Sequence, residues 1–390
     1  AGSGMHGLNE SHLYTVEAFE TYLAHLRPDG WLSITRWLRL PPRDSLRLFT
    51  TALAAIDHPD AAERLVLLRG MTTTTLLVKR DAVSEADMAR LRAFAEARSF
   101  DIAYAPGLAQ EAANRFNVLD AAHFFEATQA LAGEGAEDFI ARYKFDVSPT
   151  TDERPYFFDF LKWHTLPELL RLPGAGLLDL GKVILVATLL QAIALSALLI
   201  LLPLRLRRIA LHLPWRVGGY FTCLGLAYLF IEIAVIQKLV LFLSHPVYAV
   251  AAALTGFLVF SGLGSAVSSR FAIPLAIAAI AVLSLSYLWL LPGIFAALAT
   301  FSTIAKFATA IALIAPLAFF MGMPFPLGLA RLRQATPALV PWAWGVNGCA
   351  SVLSAMLATL IAMRFGFSAV VATAAALYVS AAALDRHWAA

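Results

Sequence analysis

The sequence predicts a multidomain chain of two fold classes in series. Residues 1–160 read as an α/β portion and residues 177–390 as an all-α polytopic bundle of about seven helices. Three observations carry this. Only 15% of the 390 residues are charged, where a soluble protein has about a quarter. The shortage is local: between positions 217 and 320 the only charged side chains are Glu232, Lys238, Arg270 and Lys306. Residues 1–160 have an ordinary charge content and alternate helix-spaced apolar positions with short apolar runs of strand length.

In the α/β portion, apolar residues at 16, 19, 23 and 26 predict an amphipathic helix over 15–26, ended by Arg27-Pro28-Asp29-Gly30. A buried strand is expected over 31–37. A helix follows over 44–56 with Asp44 as its N-cap, then a hairpin-like strand pair, 64–68 and 74–78, split at Arg69-Gly70. Ser84 and Asp87 approximate a capping box opening a surface helix over 84–98. One more strand is expected at 100–104 and a helix at 119–130. Helix, turn, strand, helix and a closing strand pair form the pattern of the second half of a nucleotide-binding sheet.

Residues 161–176 predict an interfacial linker, with Trp163 at headgroup level. Seven spans follow, at 177–202, 217–243, 247–268, 273–291, 294–320, 342–363 and 367–384, each near the ~20 apolar residues a bilayer requires. Glu232 lies near the middle of the second span, where a carboxyl is expensive and faces protein or water. Two readings stand for it: interhelical hydrogen-bonding glue or a functional site. Tyr228, one turn earlier, is placed to bond it, and Lys306 to pair with it across helices. Met321-Gly322-Met323-Pro324-Phe325-Pro326 breaks the exit of the fifth span, and Asn347 is expected to hydrogen-bond across helices. Ser261 with Ser265, and Gly345 with Ala350 and Ser354, form small-residue faces suited to close packing, including oligomer contacts.

Several function classes are disfavoured. The two cysteines, Cys223 and Cys349, lie in apolar spans with no metal-ligand spacing, so no metal site is expected. The net charge of +3 is small and the arginines flank spans, which points to a lipid bilayer and not to nucleic acid as the partner. His123 and His164 stand alone and read as structural.

HLYTVEAFETYLAHLRPDGWLSITRW at 12–37 resembles the late strands of the S-adenosylmethionine-dependent methyltransferase fold. With TTDERPYFFDF at 150–160, it resembles the membrane-linked spermidine-synthase-like proteins. YLFIEIAVIQKLVLFLSHPVYAV, FFMGMPFPLGLARL and PWAWGVNGCASVLSAMLA extend that resemblance through the membrane half. It implies a Rossmann-like domain and an aminopropyl or methyl transferase. S-adenosylmethionine or its decarboxylated form would be co-substrate, and a polyamine or other small amine the acceptor.

The Gly-rich cofactor turn and the acidic strand end cannot be placed in this chain, so no cofactor-binding residue is assigned. The chain is therefore expected to be a piece of a longer protein, inactive alone. No Asp occurs from Ala1 to Thr21, so the loop Asp of the aminopropyltransferases has no counterpart here. Glu10 and Tyr14 are the nearby polar candidates, and Asp152 a third in a proline-bounded loop that reads first as structural. The rival reading is a transporter or scaffold whose methyltransferase-like part has lost its chemistry.

The location expected is the inner (plasma) membrane. The resemblance puts the α/β part in the cytoplasm. The arginines oppose this: Arg205, Arg207, Arg208, Arg216, Arg270, Arg331, Arg333 and Arg386 fall on the opposite side of seven spans.

Overall fold

The computed structural model describes residues 6–169, 180–206 and 214–388. The glycine-rich opening, residues 170–176 of the expected linker, and Arg207 and Arg208 lie outside the described residues. Two compact units divide after Ile184.

In the first unit, helix α1 (Val16–His25) starts where the Thr15 hydroxyl accepts the Ala18 N–H, 3.3 Å away. Strand β1 (Trp31–Trp37) follows, then α2 (Asp44–Ala55), β2 (Leu65–Arg69) and β3 (Thr73–Lys79). Helix α3 (Glu85–Ala97), strand β4 (Asp101–Tyr104), α4 (His123–Ala132), α5 (Ala136–Arg142) and the short α6 (Leu166–Leu169) complete the described part of this unit up to residue 169. The Ser84–Asp87 capping box on α3 is present.

The sheet has four strands in the order β1-β3-β2-β4, and every neighbouring pair is antiparallel. The cause is local. Gly70 donates to the Thr73 carbonyl at 2.9 Å, so β3 turns back immediately after β2 and slots between it and β1. Strand β2 is buried on both faces. Leu65 and Leu67 pack with Phe19, Phe49, Phe124 and Phe157 on one side, and Val66 and Leu68 with Met88 and Ile102 on the other.

Three expectations need correction. Strand β1 is not buried: its residues alternate between half-buried and exposed, and Trp37 is 65% exposed, because it lies at the sheet edge. Asp44 is not the cap of α2. That position belongs to Arg43, whose side chain makes no cap bond, and Asp44 lies buried in the first turn. Helix α4 begins at His123 because the Asn114 side chain holds the preceding chain as a loop, accepting from Leu119 N–H and donating to its carbonyl.

Among the described residues, seven helical segments are long and apolar enough to cross a membrane, consistent with a multi-pass membrane protein. Helix α7 (Gly181–Ser196) continues through a π-turn at Ala197–Leu201 into α8 (Leu202–Leu206). Then come α9 (Trp215–Leu243), α10 (Pro246–Val267), α11 (Ile273–Ala297), α12 (Thr303–Met321), α13 (Pro324–Ala335), α14 (Val340–Phe365) and α15 (Phe367–Trp388). Helix α9 is the axis of the second unit and packs on α10, α14 and α15. Tyr220, Phe221, Leu224, Ala227, Phe230, Ile231 and Ala234, spaced by three or four residues or adjacent, carry that burial.

The small-residue faces are used within the unit. A Cβ added at Gly264 would lie 1.8 Å from the Phe319 carbonyl oxygen, and one at Gly322 would lie 2.0 Å from that of Ser261. The α10 and α12 backbones thus touch directly. Gly345 faces Ile200 and Leu204 while Ala350 faces Gly225, so these two residues serve different neighbours. Gly264→Val is expected to force α10 and α12 apart and lower the melting temperature of the detergent-solubilised chain by several degrees. Gly262→Val, where nothing lies within 4 Å of an added Cβ, is the control and should melt close to wild type. Equal melting of the two variants would refute the contact.

Candidate functional site

The sequence candidates Glu10 and Tyr14 lie on the N-terminal segment, and Asp152 on the segment after α5 that this one crosses. The turn at His12–Tyr14 is held by Ser11 N–H on the Pro155 carbonyl at 2.6 Å and Val16 N–H on the Thr150 carbonyl at 2.8 Å. Thr150 Oγ1 returns a bond to the Tyr14 carbonyl at 2.5 Å. Asp152 Oδ1 accepts from Thr15 Oγ1 at 2.8 Å and lies 3.4 Å from His12 Nδ1. The Asp152 N–H donates to Glu17 Oε2 at 2.9 Å. Asp152 therefore acts as a clamp between the two segments.

Glu10 differs in having fewer bonds. Its carboxyl accepts from the Tyr156 hydroxyl at 3.2 Å. Burial pushes its pKa up to about 7, against the charge of His12 and the Tyr156 bond, which pull it down. Tyr14 packs on Phe157, the ring centres 4.8 Å apart. Its hydroxyl accepts from Arg36 Nη1 at 3.2 Å, and the Arg36 guanidinium also lies 4.9 Å from the Phe158 ring centre. Among the described residues, Arg36 Nε and His12 Nε2 are buried without a partner.

Sequence reasoning missed His12, Arg36 and Tyr156. Arg36 has a usable signal, a charge in an otherwise apolar and hydroxyl-bearing strand. Tyr156 does not, since its hydroxyl is hidden in a run of aromatic residues.

The frame of this region is Arg47 on α2. Its Nη1 donates to the carbonyls of Tyr156, Phe157 and Asp159 at 3.1, 2.9 and 2.9 Å, and its Nη2 pairs with Asp146 at 3.3 Å. Burial would raise the Asp146 pKa, but the Arg47 charge and the Ser148 bonds hold it below its ordinary value.

The four intramembrane candidates do not form one cluster. Tyr228 does not bond Glu232; its hydroxyl donates to Ser261 Oγ on α10 at 3.3 Å. Asn347 bonds across helices as expected, Nδ2 donating to the Phe221 carbonyl at 3.1 Å. Lys306 does not pair with Glu232. Residues 298–302 separate α11 from α12, so Lys306 falls in the first turn of α12 and not deep in a span, 5.7 Å from the Phe242 ring centre. Glu232 is 8% exposed and has no hydrogen bond or ion pair among the described residues. Tyr228 and Asn347 line one cavity of about 470 Å³ in the membrane unit. Among the described residues no group of three or more His, Cys, Asp or Glu is placed to hold a metal ion.

Compared with protein-family models, curated proteins and solved structures, the chain matches none.

Proposed function

We propose that this chain belongs to a membrane-anchored transferase of the spermidine-synthase-like kind. Such an enzyme moves an aminopropyl or methyl group from S-adenosylmethionine or its decarboxylated form to an amine, and Glu10 accepts the amine proton. The observation that supports this reading is the Glu10 carboxyl, raised to about 7 by burial and bonded to the Tyr156 hydroxyl. A general base works best with a pKa near the operating pH. The sheet is compatible: β1 and β2 run in the same direction on either side of β3 and are joined through α2. That arrangement suits the antiparallel end of a larger, doubly wound sheet.

In the reaction, the amine nitrogen attacks the carbon attached to the sulfonium. The N–C bond forms as the C–S bond breaks, and its electron pair passes to sulfur, leaving a neutral thioether. The amine proton goes to the Glu10 carboxylate. Tyr14 and Arg36 shape the wall on which the acceptor lies, and Asp152 holds the turn that carries Glu10 and Tyr14.

The test is transfer of label from isotopically labelled S-adenosylmethionine, and separately its decarboxylated form, to a panel of amines by the protein purified at its full natural length. The expected result is transfer whose rate climbs with pH through about 7 as Glu10 ionises. No label on any amine from either donor would overturn the proposal.

A further inference from the structure

The cavity of about 470 Å³ in the membrane unit has the size of a small-molecule site, which is typically about 300–1,000 Å³. Its wall comes from α9, α10, α14, α15 and the break between α12 and α13. The Tyr378 hydroxyl belongs to a side chain 1% exposed and has no partner among the described residues, although Tyr378 lines the cavity. Asn347 spends its amide N–H on Phe221, and no bond to its oxygen is present among the described residues. Asn347 is half-buried, and a ligand that bonds its oxygen and the Tyr378 hydroxyl gains affinity.

The sign of the ligand follows from charge. Among the described residues, no lysine or arginine lines the cavity. One turn beyond Tyr228 on α9, outside the residues that line the cavity, stands Glu232, buried and with no hydrogen bond or ion pair among the described residues. Tyr228, Phe325 and Tyr378 line the cavity, and aromatic rings attract cations. In low dielectric these contributions act over several ångströms.

From this we infer that the cavity between α9, α10, α14 and the 322–323 break is a binding site for a small organic ammonium ion, with Glu232 as its counter-charge. The inference does not rest on the transferase reading, and its test involves no donor and no turnover.

The probe is n-butylammonium chloride, titrated calorimetrically into the whole chain in dodecyl maltoside, with n-butanol and sodium butyrate as the neutral and anionic counterparts. Saturable ammonium binding, at least ~10-fold tighter than the alcohol and absent for the anion, is expected; tenfold corresponds to about 1.4 kcal/mol. Glu232→Gln should abolish the preference for ammonium over alcohol. Gly262→Leu, which grows a side chain from an open position in the cavity wall, should abolish binding of both.

No saturable ammonium binding to the wild-type chain, or the same preference in Glu232→Gln, overturns the inference. Should Glu232→Gln fail to yield monodisperse protein, wild-type-like binding in Gly262→Leu overturns it instead. Phosphatidylethanolamine, added as a competitor, distinguishes the source of the ammonium: displacement assigns the site to a lipid headgroup, and no displacement assigns it to a soluble amine.

Discussion

Glu10→Gln is expected to slow label transfer by roughly 10²–10⁴-fold, the range for loss of a positioned general base. The amide keeps the shape and the Tyr156 contact but cannot take a proton. A positioning role alone would leave the pH profile in place, so the distinguishing result is loss of the limb near pH 7. Stability should move the other way. The folded Glu10 pKa is raised, from 4.5 to about 7, so the stability linked to its neutral form is fully present below about 4.5 and is lost as pH rises through about 7. At pH 8 the variant should therefore be more stable than wild type, by on the order of 2 kcal/mol. A variant both slower and less stable at pH 8 would argue that Glu10 is a structural carboxyl.

Arg47→Ala is the second large effect, expected to cost about 3–5 kcal/mol. Removing the guanidinium leaves three buried carbonyls without their donor and Asp146 without its counter-ion. It also empties space beside the Phe160 ring, 4.8 Å from the guanidinium carbon. Asp146 gains from the pair only while ionised, so the difference between wild type and variant should shrink as pH falls through the acid range. Hydrogen–deuterium exchange over residues 145–161 is the direct measurement: protection there should collapse while α10 and α12 exchange as before. Unchanged protection would remove Arg47 from the framework. Arg47→Lys should fall between the two, because an ammonium replaces a fork that reaches several acceptors at once.

How far the sequence reached depended on the range of the physics. Periodicity and capping are local, and they placed β1, the β2–β3 hairpin and the α3 capping box nearly to the residue. Hydrophobicity over ~20 residues is also local, and it found the seven segments that, among the described residues, are long and apolar enough to cross a membrane. Residues 298–302 carry no strong breaker, so the fourth and fifth spans were divided too early and Lys306 looked deep.

Long-range contacts left no such trace. Nothing near Arg47 in the sequence announces that it will meet carbonyls more than a hundred residues away. The meeting of Glu10 with Tyr156 is of the same kind, and so is the isolation of Glu232. Glu10 was visible as a carboxyl near a turn, but its raised pKa comes from burial by residues distant in sequence.

The direct contact of α10 with α12 has a mechanical corollary. Backbones that meet at Gly264 and Gly322 without intervening side chains cannot slide independently, so the two helices behave as one stiff plate. Admission of a guest must then involve travel of α9, α14 or α15 against that plate. A cysteine tether across α10 and α12 should be functionally silent, whereas one replacing the Tyr228–Ser261 contact should lock the chamber in its present width.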